Sequence, residues 1–145
     1  MSLKLPINGH GASISIEVSG YERPSAQNVH DANWLKCSVA LNLGYFTADY
    51  LATFETSDFV RFRDGLKIVL STMSGAASFV TCEGALNCTI EMAPTGTARI
   101  KGVAQVHAHT TATLSFSFET DQSFLAETLR EVEGVIREFP MRMMA

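Results

Sequence analysis

Alternation of apolar and polar residues is the commonest pattern in this chain, and it predicts half-buried antiparallel strands. In segment 13–18, Ile14, Ile16 and Val18 alternate with polar residues, and segment 34–41 repeats the pattern with Leu35 to Leu41. Similar segments lie at 4–7, 45–55, 77–82, 86–92, 99–107 and 112–119, with turn residues near 42–44, 83–84 and 94–96. The pattern predicts seven or eight short strands joined mostly by hairpins, with the Pro6 segment at a sheet edge.

Two further segments carry apolar residues three and four positions apart, which predicts amphipathic helices. In segment 53–73 these residues are Phe59, Phe62, Leu66, Val69, Leu70 and Met73, and in segment 121–140 they are Leu125, Leu129, Val132, Ile136 and Phe139. We expect Thr56 or Ser57 to cap the first helix and Ser74-Gly75 to end it. Asp121 is expected to cap the second helix, which Pro140 ends.

The order of these elements predicts an α+β fold: a curved antiparallel β-sheet of seven or eight strands in a hairpin meander, like a sandwich or half-barrel, covered by two α-helices. No alternation of strand, helix and strand is present, which disfavours a parallel nucleotide-binding sheet. The 145 residues predict a single domain over 1–145. The longest irregular segment, 21–32, is too short to separate domains.

Composition narrows the function classes. The formal charge is −4 and the eleven Lys and Arg residues form no basic run, so a nucleic-acid partner is not expected. No apolar run approaches the roughly 18 residues that a membrane helix needs, so no membrane partner is expected either. The odd set Cys37, Cys82 and Cys88 cannot form a complete disulfide framework, which predicts reduced thiols in a cytoplasmic protein.

His107-Ala108-His109 is the most suggestive chemical motif. Two histidines two residues apart on a strand point to one side and can chelate zinc, but a site needs a third ligand that the sequence does not supply. Solvent-facing histidines are the favoured interpretation, and neither a metal nor a cofactor is predicted. A small-ligand or metal-binding β module stays open as the alternative function.

Catalytic motifs are missing from the sequence. There is no G-x-S-x-G elbow and no glycine-rich phosphate loop, and a Glu83 and Glu91 carboxylate pair is only one of many possible pairs among fifteen acidic residues. We therefore predict that the protein is not an enzyme. A hydrolase site assembled from distant strands is the third and least favoured hypothesis.

A protein-binding role draws on exposed aromatic and arginine side chains, which are common anchors of interfaces. Trp34, Tyr45 and Tyr50 lie on one predicted hairpin, and Arg61 and Arg63 lie on the polar side of the first helix. These five residues are the candidate interface. We expect a protein partner and either a monomer or a homodimer, because hairpin edges can pair between subunits.

A series of landmarks resembles the WapI family of immunity proteins. In order they are Trp34, Phe46, Thr56-Ser57-Asp58-Phe59, Phe62, Leu66, Glu83, Leu86, Leu114-Ser115-Phe116, Asp121-Gln122-Ser123-Phe124-Leu125 and Phe139-Pro140. The resemblance covers residues 33–140 and leaves the role of residues 1–32 open. It implies a small cytoplasmic bacterial protein that binds a contact-delivered toxin and neutralises it by occlusion, without chemistry.

Overall fold

The computed structural model describes residues 2–107 and 109–142, and their elements confirm the predicted α+β class. The strands are β1 (Leu3–Asn8), β2 (Ser13–Tyr21), β3 (Trp34–Asn42), β4 (Thr47–Glu55), β5 (Ala76–Phe79), β6 (Leu86–Met92), β7 (Thr97–His107) and β8 (Thr111–Asp121). The helices are α1 (Val29–Ala32), α2 (Thr56–Thr72) and α3 (Gln122–Glu138). The short helix α1 was not predicted; Asn28 caps it by accepting the Asp31 N–H at 2.9 Å.

The eight strands are divided between two four-stranded sheets, a detail that the prediction of one curved sheet lacked. The strand orders are β1-β2-β3-β4 and β5-β6-β7-β8, and every pair is antiparallel. Each sheet is therefore the predicted hairpin meander. Each meander is followed by a helix of 17 residues, so apart from α1 the chain runs through the same order of elements twice.

The predicted alternation is visible in the burial of the strands. Ile14, Ile16 and Val18 are fully buried and stand opposite Leu41, Val39 and Cys37, which are buried as well. The inner faces of both sheets and the apolar faces of α2 and α3 contribute to one continuous core. At its centre, Phe54 of β4 contacts Phe79 of β5 with 5.2 Å between ring centroids.

Each long helix packs against the first strand of the other meander. Helix α3 lies along β1, where the Thr128 hydroxyl donates to the Pro6 carbonyl at 2.7 Å. Helix α2 lies against β5, and a Cβ placed on Gly65 would stand only 3.1 Å from the Cβ of Ala77. The two helices also pack against each other. The two helices are therefore exchanged between the meanders: α3 covers the β1 edge of the first sheet, and α2 covers the β5 edge of the second. Strands β4 and β8 are the other two edges.

Several predicted strands have the wrong ends; β2, for example, runs to Tyr21 and not to residue 18, and the hydrogen bonds explain two other cases. Strand β4 begins at Thr47, because the Leu43 N–H donates to the Phe46 carbonyl at 2.8 Å and closes a turn that includes Tyr45 and Phe46. Strand β5 ends at Phe79 and not at Cys82. There the Thr81 N–H donates to Asn87 Oδ1 at 2.8 Å, which turns the chain away from the ladder.

The ends of α2 also differ from the prediction. Its N-cap is Glu55, whose N–H donates to the Asp58 carboxylate at 2.9 Å, so Thr56 is already helical. Its C-cap is Met73 in the left-handed conformation, and the Met73 N–H donates to the Val69 carbonyl. For α3, the predicted cap is confirmed, since Asp121 Oδ1 accepts the N–H groups of Ser123 and Phe124.

Candidate protein interface

The tip of the β3–β4 hairpin presents the most exposed aromatic side chains among the described residues. Tyr45 is fully exposed at 103 % and Phe46 is 67 % exposed. Gly44 adopts φ +85°, which the tight turn requires and which a side chain would disfavour. Because the turn is closed by its own backbone hydrogen bond, both rings stand on a defined support.

Leu51 extends this apolar surface along β4. It is 87 % exposed and lies on the solvent side of the first sheet with Asp49 and Thr53. It lies four residue steps along β4 from Thr47, the first residue after the tip, which is roughly 13 Å along an extended strand. Tyr45, Phe46 and Leu51 together are called the hairpin surface below. Single exposed apolar residues are ordinary, but aromatic rings at a turn are a recognisable binding feature.

Next to Leu51, the solvent face of the first sheet has a shallow groove of about 440 Å³. Its lining includes Glu17, Glu22, Lys36, Leu51 and Thr53. With two acidic residues against one lysine, the charged residues of the groove favour a basic partner group. The net charge of −4 for the whole chain has the same sign.

The structure separates Trp34 from Tyr45. Trp34 is half-buried at the start of β3, opposite Glu55, whereas Tyr45 lies beyond the other end of the same strand. Eight residue steps along β3 span roughly 26 Å. The two predicted interface aromatics therefore lie at opposite ends of the hairpin, and one compact contact patch cannot be centred on both.

Tyr50 points into the protein rather than towards solvent. Its hydroxyl donates to the Ala85 carbonyl at 2.7 Å, which links β4 to the loop before β6. Burial raises the pKa of Tyr50 to about 12, so the hydroxyl keeps its proton and remains a donor. Its evident contacts are structural, and its role in an interface stays a prediction.

Arg61 and Arg63 both lie on α2, and each has an acidic neighbour. Arg61 binds the buried Asp58 carboxylate with 2.6 Å between Nη2 and Oδ1. Arg63 binds the exposed Asp64 with 2.6 Å between Nε and Oδ1. The Arg61 side chain is nevertheless 62 % exposed, so it can meet solvent or a partner while it holds Asp58.

The two histidines of the suggestive motif are exposed. His107 ends β7 and His109 follows in a bend, while Ala108 between them lies outside the described residues. Across residues 2–107 and 109–142, no three His, Cys, Asp or Glu side chains are arranged to hold a metal ion. No geometric observation in this region supports the alternative of a metal-binding module.

Phe46 and Leu51 were missed as candidate interface residues. The prediction placed both within one strand, where alternation put one side of the strand in the core. With Tyr45 exposed, strict alternation from residue 45 puts Phe46 in the core. Phe46 is exposed because the turn closed by the Leu43 N–H and the Phe46 carbonyl extends to it, and apolar alternation carries no signal for that bond.

Comparison with known proteins gives one family. A model of the immunity protein WapI-like family matches residues 4–140, which includes the N-terminal part that the resemblance left out. A search among curated proteins found no match. In the described residues, no helix is long and apolar enough to cross a membrane.

Proposed function

The chain belongs to the immunity protein WapI-like family, and from that membership we propose that it binds a bacterial toxin and neutralises it without chemistry of its own. The observation that supports a binding role most directly is the hairpin surface of Tyr45, Phe46 and Leu51. Aromatic rings that are held by a rigid backbone lose little conformational entropy on binding, and Tyr in particular is a frequent hot spot.

The chemistry of the hairpin surface defines the partner that would fit it. Tyr45 and Phe46 suit an apolar pocket, whereas Asp49, Glu17 and Glu22 on the same solvent-facing side suit Lys or Arg groups beside that pocket. Opposite charge on the partner would raise the association rate more than the final affinity. Binding of this kind would block the toxin by covering the surface that it needs.

The direct test is co-expression with the toxin domain encoded next to the gene. We expect the wild-type protein to protect the producing cells and to co-purify with the toxin. The Tyr45→Ala/Phe46→Ala variant should lose both properties, with an affinity about 30- to 1000-fold lower, as expected when two hot-spot rings are truncated.

Val80→Ala is the control, because Val80 is an exposed apolar residue at 53 % that follows β5 and lies neither on the hairpin nor on α2, where Arg61 and Arg63 are also candidates. This variant should protect as well as the wild type. A wild-type protein that neither binds nor protects against the neighbouring toxin contradicts the proposed function. Protection that survives in the Tyr45→Ala/Phe46→Ala variant contradicts only the assignment of the hairpin surface.

A further inference from the structure

The outer edge of β8 is open over most of its length. It pairs with β7 on one side only, while α3, which follows it, lies mainly against β1 and α2. Natural sheet edges usually carry a charge, a proline or a bulge that prevents pairing with another chain. The run from Thr111 to Phe118, TATLSFSF, contains none of these, whereas the β4 edge carries Asp49.

One hydrogen bond shows which backbone groups of β8 face outward. The His10 N–H donates to the Glu119 carbonyl at 2.8 Å, so the Glu119 backbone points away from β7. Backbone groups of alternate residues point the same way along an antiparallel strand, so those of Thr111, Thr113, Ser115 and Ser117 face outward as well. The Arg99 to Glu119 side-chain hydrogen bond of 3.0 Å agrees, because facing side chains approach most closely at such non-hydrogen-bonded positions.

The open part of this edge is the run from Thr111 to Ser117. It begins at Thr111 after the β7–β8 turn, and it stops after Ser117 because the turn at Gly9 and His10 docks on Glu119. The midpoint is Leu114. We propose that β8 pairs antiparallel with β8 of a second copy of this chain, with the two-fold axis at Leu114. Thr113 then bonds Ser115 of the second copy, and Thr111 bonds Ser117.

The side chains are compatible with this register. Leu114 and Phe116 are only half-buried in the single chain, and they would stand opposite Leu114 and Ala112 of the second copy. Pairing would therefore cover apolar area that the fold leaves partly exposed. No charged residue lies in the paired run, so like charges never oppose each other. The two second sheets would join into one continuous sheet.

The first test is the molar mass in solution. Light scattering after size exclusion, at protein concentrations up to about 100 µM, detects dissociation constants of that order. The wild-type protein should approach twice its chain mass of 15.8 kDa as the concentration rises. A mass of one chain throughout this range overturns the dimer.

Charges placed on the edge locate the contact. Thr113→Lys/Ser115→Lys puts lysines opposite each other across the axis and should give a single-chain mass at all concentrations. The control Val103→Lys/Gln105→Lys adds the same charges on the same face, at the β7 positions that pair with Ser115 and Thr113. The control should remain dimeric. Should the edge variant fail to fold, Ser115→Pro removes one outward N–H without breaking the β7 ladder.

A cysteine at the axis tests the register. In a non-hydrogen-bonded pair the Cα atoms are about 4.5 Å apart, which a disulfide can bridge. Leu114→Cys in a Cys82→Ser background should therefore form an interchain disulfide under mild oxidation, and Ala112→Cys should form it several-fold more slowly. Equal rates, or dimers that persist in the edge-lysine variant, overturn the assignment. This dimer does not depend on toxin binding, so the Tyr45→Ala/Phe46→Ala variant should also be dimeric.

Discussion

The three cysteines of this chain have different surroundings. Cys82 is exposed in the loop before β6, whereas Cys37 and Cys88 are buried on the inner faces of the two sheets. Burial raises the pKa of both buried thiols to about 12, so neither forms the reactive thiolate near neutral pH. Reactivity in the native protein is therefore expected to be a property of Cys82 alone.

Alkylation measures this difference. Iodoacetamide at pH 8 should modify one thiol per native chain within minutes, and mass spectrometry should place the label on Cys82. All three thiols should react once the protein is unfolded in guanidinium. Rapid labelling of Cys37 or Cys88 in the native protein would show that the core opens much more readily than its packing indicates.

Asp58 is a buried carboxylate whose counter-charge is partly exposed. Burial raises its pKa from the ordinary 3.8, although the Glu55 N–H and the Arg61 guanidinium both act to lower it. Because the folded state holds this proton more tightly than the unfolded state, the Asp58 contribution to stability falls as the pH rises above 3.8. At neutral pH, Arg61 is therefore needed to offset the buried charge.

Arg61→Ala should lower the free energy of unfolding by about 1–2 kcal/mol at pH 7, a value below that of a fully buried pair because solvent screens Arg61. The loss should shrink as acidification protonates Asp58. Urea unfolding at pH 7 and at pH 4 measures both effects. Arg63→Ala is the control, since its partner Asp64 is exposed, and it should cost less than about 0.5 kcal/mol.

At the level of elements, the cap of α3 shows most clearly how one residue fixes where a helix begins. Asp121 ends β8 and accepts the N–H groups of Ser123 and Phe124, so one residue connects a strand to the helix that covers β1. Asp121→Ala should lower the free energy of unfolding by about 1 kcal/mol, and Asp121→Asn by less. Urea titration followed by circular dichroism measures the two losses, and equal losses would show that the cap oxygen is not the cause.

Local patterns predicted which elements exist better than where they end. The alternation of Ile14, Ile16 and Val18 and the cap at Asp121 depend on neighbouring residues, so the sequence shows them directly. The start of β4 depends on the Leu43 to Phe46 bond within the turn, and Glu55 caps α2 although its residue type is not a usual N-cap. These ends depend on backbone geometry that apolar periodicity does not encode.

Local sequence patterns were also insufficient to predict the candidate site in full. Tyr45 was predicted from its residue type, and its exposure follows from the turn. Tyr50 lies on the same strand side as the buried Phe54, and its partner Ala85 is 35 positions away. The Tyr50 hydroxyl donates to Ala85 only because the two sheets pack together, and no local sequence pattern describes that packing.

At the scale of the whole molecule, the exchange of helices joins the two meanders. Helix α2 follows the first meander but packs on β5, and α3 follows the second but packs on β1. Phe54 of the first sheet and Phe79 of the second meet in one core. Neither meander keeps both its helix and its core contacts alone, so we expect the two to unfold as one cooperative unit.

The single tryptophan makes this expectation measurable, because Trp34 reports on the first sheet whereas circular dichroism reports on the whole chain. Leu86→Ala removes a fully buried side chain from β6 and should cost about 2–5 kcal/mol. If the meanders unfold together, urea curves from Trp34 fluorescence and from circular dichroism shift to lower concentration by the same amount. The opposite result is a fluorescence midpoint that stays at its wild-type value while the dichroism curve shifts. It would show that the second meander unfolds separately, and therefore that the exchanged helices do not couple the two halves.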